Sequence, residues 1–415
     1  MRKVKCVPSF FLVLFILLVS FSMRANPLSN VPHGHDSSMF LYFGKGISEG
    51  LVPYSDMFDH KGPILFLIEY LAVVVGQGNY SLGIWIVEIL FLIGVAFYLY
   101  KTAILYTSDR VISALSLLLC SGLFILCYEG GNLSEEFALF FISGSLYKFS
   151  KIFLLDKDSK LDYILIGIFG GITFFIRANM ISLWGVFCLY FLIHDCYKKH
   201  FGLLFRRIIF IFTGGFSILL IVIVYCLLTN SLTDMINQAF LMNISYSNTD
   251  LYTKYSVASF FIEVLRHFSI PMIIVIFLIN YLEQYKTFTT NYKALYLLMF
   301  AYALINFYTV VMSGRTYLHY MTTQLGVVVI IVSVSLFYLV KRISRKTMYY
   351  LGLMLISVMF LSPNASAIEQ RNMQYNFVTT KEKNDLENIS NYIKGNTDRN
   401  DSIYVHNLDA KIKSV

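Results

Sequence analysis

The chain has 415 residues, of which 57% are hydrophobic, 17% aromatic and only 14% charged, with a mean hydropathy of +0.64. A water-soluble chain carries about a quarter charged residues, so the composition excludes an ordinary soluble globular protein and points to lipid as the main solvent. The formal charge of +8 does not indicate nucleic acid, because Lys and Arg fall in short clusters between apolar runs, as orientation signals do.

Apolar runs approaching the ~20 residues that cross ~30 Å of hydrocarbon recur along the chain. In lipid the backbone must satisfy its own polar groups, so these runs are helices. Eleven spans are expected, at 7–23, 82–104, 111–128, 137–154, 161–176, 181–197, 208–228, 268–282, 294–312, 322–340 and 347–362. The first follows a basic start, Met1–Lys5, in the manner of a signal peptide. Its apolar core is long and Met23-x-Ala25 is a poor cleavage site, so a retained helix is expected. The short apolar stretch 63–76 reads as a re-entrant or surface-lying helix, since a full span there would invert everything downstream.

With the N-terminus inside, nineteen of the 33 Lys and Arg fall in inner loops. Seven lie outside (Arg24, Lys45, Lys61, Arg177, Lys254, Arg266 and Arg315) and seven in the tail after Leu361. That is the bias the positive-inside rule predicts. The fold expected is therefore an all-α polytopic membrane protein with a membrane domain over 1–362. An extracytoplasmic tail over 363–415, read as a short or incomplete domain, would carry an amphipathic helix at Lys381–Lys394 and a short strand at 402–405. Six cysteines without CxxC spacing indicate neither a disulfide framework nor a zinc site, and are expected as small buried residues.

Outer basic residues run against the charge bias and need a reason. His33-Gly34-His35-Asp36 precedes a segment, 39–47, expected to lie along the surface with Phe40, Leu41, Phe43 and Ile47 inward. Asp36 reads either as the N-cap of that helix or as a functional acid. Adjacent spacing of His33, His35 and Asp36 suits neither a helix face nor a strand face, so no metal ligands are assigned. Next comes Pro53-Tyr54-x-Asp56-x-Phe58-Asp59-His60-Lys61-Gly62-Pro63. It is either a solvated turn with an Asp59–Lys61 pair or an anion site in which His60 and Lys61 meet a phosphate at a helix start. Gly131-Asn132-Leu133-Ser134-Glu135-Glu136 reads equally as a helix cap with acids on its dipole or as a substrate contact. Arg177-Ala178-Asn179 joins two closely spaced spans. In Gly314-Arg315-Thr316-Tyr317-Leu318-His319-Tyr320 an aromatic belt explains the tyrosines but not Arg315 or His319.

These motifs, in this order, resemble the C-type (GT-C) glycosyltransferase superfamily, and within it the bacterial members related to protein O-mannosyltransferases and lipid A aminoarabinose transferases. The resemblance covers about 1–362, and its most specific element is Asp59-His60-Lys61-Gly62-Pro63. It implies transfer of a sugar from a polyprenyl-phosphate donor to an acceptor glycan, lipid or protein at the outer face of a bacterial cytoplasmic membrane. By analogy Asp36 is the catalytic base, Lys61 contacts the carrier phosphate, and Arg315 and Tyr317 match the later Arg/Tyr motif. Asp59, His60, Glu135, Glu136, Arg177 and His319 complete the expected substrate-binding set. No cofactor is indicated, and a divalent metal stays open. Two features depart from the family: Ser37 replaces the second acid of the usual doublet, and the soluble C-terminal region is short. The alternatives are a flippase or transporter for a lipid-linked saccharide, which predicts ionisable residues within spans such as Glu88, and a catalytically silent relative.

Overall fold

The structure is a computed structural model and describes residues 7–29, 31–155, 159–243, 259–262, 264, 277–278, 281–282, 285–286, 288–311, 317–342 and 380–398. The described chain is helical, with α1 at Val7–Ser20, α2 at His35–Ser48, α3 at Pro63–Gly76, α4 at Tyr80–Thr107 and α5 at Arg110–Leu119. There follow α6 at Ser121–Tyr128, α7 at Ser134–Leu155, α8 at Lys160–Ile176, α9 at Ser182–Tyr197, α10 at Phe201–Leu228 and α11 at Leu232–Ile236. The last are α12 at Thr290–Val311, α13 at Leu325–Arg342 and α14 at Thr380–Asn396.

Among the described residues six stretches are long and apolar enough to cross a membrane: 80–107, 110–128, 134–155, 201–228, 290–310 and 318–341. Val7–Ser20, Pro63–Gly76 and Ser182–Tyr197 are shorter apolar helices. At 1.5 Å per residue, the fourteen residues of α1 or α3 reach about 21 Å, short of the hydrocarbon thickness. Nine of the eleven expected spans coincide with these helices and α8. Most of 268–282 and all of 347–362 lie outside the described residues, as do Arg315 and the strand expected at 402–405. The amphipathic helix expected at 381–394 is α14.

The core is built on α4 and α7, each packed against several neighbours. Phe91 of α4 meets Phe137, Phe140 and Phe141 of α7 edge-on at 5.1–5.9 Å. α1 is part of this core: Phe15 packs edge-on at 5.0 Å against Phe124, and the Trp85 indole N–H donates to the Ser20 carbonyl at 3.0 Å. α8 and α10 cross at Gly167 and Gly214, where a Cβ on either glycine would collide with the other helix's backbone. Small residues let membrane helices approach this closely. On its other side α10 is bare, with Phe212, Phe216 and Ile221 exposed, as suits a lipid-facing surface.

Two expectations change. Cys120, Cys127 and Cys226 are buried thiols, but Cys196 is exposed in the last turn of α9. Asp36 is not an N-cap: α2 begins at His35 after Gly34, which places Asp36 inside the first helical turn.

Candidate functional site

Four segments meet at one end of the bundle: the first turn of α2, the loop before α3, the start of α7 and the short connection between α8 and α9. Helical periodicity places α2. Asp36, Phe40, Phe43 and Ile47 follow one helical face, and Phe40 and Phe43 are buried there. Phe43 stacks at 4.2 Å on Phe66 of α3, so the aromatic face fixes the rotation of α2 and with it the direction of Asp36.

The loop is held from several sides. Tyr54, in the left-handed region at φ 72°, donates its hydroxyl to the Lys61 carbonyl at 2.7 Å. Gln238 donates to the Tyr54 carbonyl and Asn243 to the His60 carbonyl, both at 2.8 Å, from the π-helical turn Asn237–Leu241 and the residues after it. Gly62 is required by closeness rather than by φ. Its N–H donates to the Ile176 carbonyl at 3.1 Å, and a Cβ there would overlap the Phe175 carbonyl. That contact draws Lys61 up to the end of α8, where Arg177 sits.

Within the loop, Asp59 Oδ1 accepts the backbone N–H of His60 at 2.5 Å and of Lys61 at 3.2 Å, and lies 3.1 Å from His60 Nδ1. Lys61 Nζ lies 2.9 Å from His60 Nε2 and 5.6 Å over the Phe40 ring. This assigns the proton of a neutral His60 to Nδ1, facing Asp59, with Nε2 accepting from Lys61. Burial opposes the charge of Asp59, yet the His60 hydrogen bond and the Lys61 charge hold its carboxyl below the usual range. Burial also lowers His60, against the Asp59 hydrogen bond and with the Lys61 charge adding to it. Lys61 is lowered by burial and by the nearby Arg177, against Asp59, Asp36 and Glu135. Two cations held this close repel, and an arriving anion would relieve both.

Arg177 pairs with Glu135, whose other oxygen accepts from Ser134 Oγ at 2.9 Å. Its guanidinium lies 4.6 Å over the Tyr320 ring. Tyr320 meets His319 edge-on at 4.8 Å, and His319 Nδ1 is 2.9 Å from Glu129 Oε2. Tyr317 stacks on His319 at 5.3 Å and is exposed. Charge interactions tie Asp36 to Lys61, Arg177 and Tyr320. The expected residues Asp36, Asp59, His60, Lys61, Glu135, Arg177, Tyr317 and His319 are thus drawn into one neighbourhood. Tyr320, read from the sequence only as part of an aromatic belt, and Glu129, not singled out, join them. Arg315 lies outside the described residues.

Glu136 turns the other way. Residues 129–132 all have positive φ (47°, 100°, 91° and 58°), a tight turn that aims the Asn132 N–H at Glu136 Oε2, 2.9 Å away. Asn132 Nδ2 reaches the Ser37 carbonyl at 3.2 Å and Glu69 Oε2 at 3.5 Å. Glu69, Glu88 and Glu136, from α3, α4 and α7, are all buried there, at 0–1% exposure. Oε1 of Glu69, both oxygens of Glu88, Oε1 of Glu136 and Oδ1 of Asn132 have no partner. Among the described residues no group of three His, Cys, Asp or Glu side chains is arranged to hold a metal ion.

No curated protein matches the chain. Among solved structures with a similar backbone is ArnT from Cupriavidus metallidurans, determined bound to undecaprenyl phosphate, with a TM-score of 0.54 at 11% identity. The likeness covers 84% of this chain and 62% of that one, and at such identity it concerns the fold: a polytopic membrane fold of the ArnT type. The sequence itself matches, over residues 1–367, the family described as putative competence-induced protein Ccs4 N-terminal domain, and the chain belongs to that family.

Proposed function

We propose that the chain is an integral membrane glycosyltransferase that moves a sugar from a polyprenyl-phosphate donor to an acceptor at the extracytoplasmic face. In that arrangement the N-terminus and the basic loops face a bacterial cytoplasm. The observation that carries the reading is that Asp36 shares a face of α2 with Phe40, over whose ring Lys61 sits, while the Gly62–Ile176 hydrogen bond brings Lys61 to the end of α8 beside Arg177, in a bundle with the fold of ArnT.

The chemistry needs little more. A sugar linked through phosphate already carries its leaving group. Asp36 accepts the proton of the acceptor hydroxyl as its oxygen attacks C1, and the C1–O bond to phosphate breaks. The departing phosphate gains negative charge where Lys61 and Arg177 are already placed, so no reorganisation is needed as the charge develops. Attack opposite the phosphate inverts the anomeric centre. Tyr320 and Glu135 keep the Arg177 guanidinium in place, and His60 keeps the Lys61 ammonium in place. Lys61 retains two further N–H donors for the phosphate oxygens.

In proteoliposomes supplied with a radiolabelled polyprenyl-phosphate hexose and an envelope extract as acceptor source, Asp36→Asn should lower transfer by about 10²–10⁴, the range expected for a lost general base. Transfer at the wild-type rate would remove Asp36 from that role. A second reading, movement of a lipid-linked saccharide, is favoured by the buried Glu69, Glu88 and Glu136, since ionisable groups inside a membrane domain commonly mark transport pathways. It predicts that a deletion strain accumulates undecorated inner-leaflet carrier rather than losing a single-sugar decoration.

A further inference from the structure

The far side of α2 carries its own cavity, of about 350 Å³. Lys45 follows Asp36 by nine residues, which at 100° per residue puts it half a turn round the helix. Tyr42, one turn before Lys45, shares that side, and both line the cavity. Helix α2 is therefore a partition, with Asp36, Phe40 and Lys61 against one face and this cavity against the other. The opposite wall is the α3–α4 turn, where Asn79, Tyr80 and Ser81 contribute. His33 bridges the two walls, with Nε2 2.8 Å from Ser81 Oγ and Nδ1 3.4 Å from Ser37 Oγ.

The lining has a definite chemistry. It contains one ammonium and no carboxylate. Burial, and after it the charge of nearby Arg24, lowers His33 to about 4, so the imidazole lining the cavity is neutral. Asn79 Oδ1 is used by the Leu82 N–H at 3.0 Å as a helix cap, which leaves its amide N–H₂ to donate. Two phenol rings offer flat apolar faces with a polar tip, suited to stacking on a sugar ring. A volume at the low end of small-molecule sites fits a single sugar unit.

We propose that this cavity is a second saccharide site, taking one anionic sugar unit that bears a phosphate or carboxylate, on the opposite side of α2 from Asp36 and Lys61. Lys45 pairs with the anionic group, while Tyr42 and Tyr80 flank the ring. The site requires no transfer chemistry and goes beyond the transferase reading.

Lysine footprinting reads the site locally. The full chain in phosphatidylcholine nanodiscs is acetylated with a water-soluble reagent, and the rate at Lys45 is followed by mass spectrometry. Glucose 6-phosphate at ten times its dissociation constant should slow Lys45 about tenfold by mass action. Glucose and inorganic phosphate, tested at that same concentration, should each protect far less, and Lys101 should be unaffected by all three. Tyr42→Ala should abolish the protection, whereas Asp36→Asn should keep it, which separates failure here from failure of the transferase reading. No slowing at Lys45 up to saturating probe overturns the proposal. So does equal protection by inorganic phosphate alone, the mark of an adventitious anion. Tyr42→Phe keeps the ring in place and must retain protection, so a loss there also counts against the stacking role.

Discussion

Two adjacent residues, Glu135 and Glu136, belong to different electrostatic worlds. Glu135 meets Arg177 in a cluster where acids and bases alternate: Asp36, Asp59, Lys61, Arg177, Glu129 and His319. Glu136, 100° further round α7, enters a cluster with Glu69, Glu88 and Asn132 in which, among the described residues, the three carboxyls make no ion pair and several oxygens have no hydrogen-bond partner. The second cluster is the more deeply buried, with Glu69, Glu88 and Glu136 at 0–1% exposure, whereas the Arg177, Glu129 and His60 side chains of the first keep 16%, 29% and 36% exposed. The larger difference is compensation. Charges in the first are neutralised by neighbours and by hydrogen bonds, so they are held in place while charged. In the second, among the described residues, only neutral donors, chiefly Asn132, meet the carboxyls, and no ion pair compensates them.

Breaking the pair in the first cluster should therefore cost most. Glu135→Gln leaves the Arg177 guanidinium buried without its counter-charge, a loss of about 3–5 kcal/mol. The matched change Glu88→Gln replaces an uncompensated acid by a neutral amide of the same shape and should leave stability unchanged or raise it. Thermal unfolding of the two variants in one detergent tests the comparison directly. Equal destabilisation would mean that the two clusters are not distinguished by compensation.

Gly62→Ala probes how the first cluster is assembled. The added methyl must displace the Phe175 carbonyl, at a cost of about 1–3 kcal/mol for forced overpacking. It should separate Lys61 from Arg177 and depress transfer more than stability. A variant with wild-type turnover would show that the contact with the end of α8 does not position Lys61.

The sequence carries the first cluster more plainly than the second, for physical reasons. Asp59-His60-Lys61-Gly62-Pro63 is local: its hydrogen bonds run within a few residues, and its charge stands out against the outer-side bias. Periodicity alone gives the aromatic face of α2. By contrast, the inward turn of Glu136 depends on four consecutive positive φ values, two of them at Glu129 and Asn132, which no local rule predicts. Glu69 sits in a helix that hydropathy marks only as short, and its burial depends on Gly44 of α2 pressing against its backbone. Tyr320 lies in a motif the sequence marks, but its contact with Arg177, like that of Glu129 with His319, joins segments far apart in the chain, so spacing carried no signal for either contact.

Acid titration should act on the loop and on His33 in the same direction. His33 is lowered to about 4, by burial first and Arg24 second, against an unfolded value of about 6.5. Below about 6.5 the unfolded chain takes up the proton first, so stability is lost as pH falls from about 6.5 toward about 4. Lowered His60 adds loss below the same upper limit, and lowered Asp59 loses its contribution only at more acid pH, below about 3.9. His33→Gln should flatten the melting temperature between pH 6.5 and about 4 without altering the more acid limb. A profile identical to wild type would assign the loss to His60 instead.

The smallest expected effect tests the support behind the first cluster. Asn243 gives one N–H to the His60 carbonyl at 2.8 Å and one to the Ala239 carbonyl at 2.7 Å. Asn243→Ala should cost about 1 kcal/mol, the net worth of an ordinary hydrogen bond. Because the bond is to the backbone beside Lys61, the same variant should weaken binding of a polyprenyl phosphate more than it slows transfer at saturating donor. Glu69→Gln, in the second cluster, should leave donor binding untouched. If the two variants weaken binding equally, the turn after α11 does not serve the loop, and the division between the clusters loses its functional meaning.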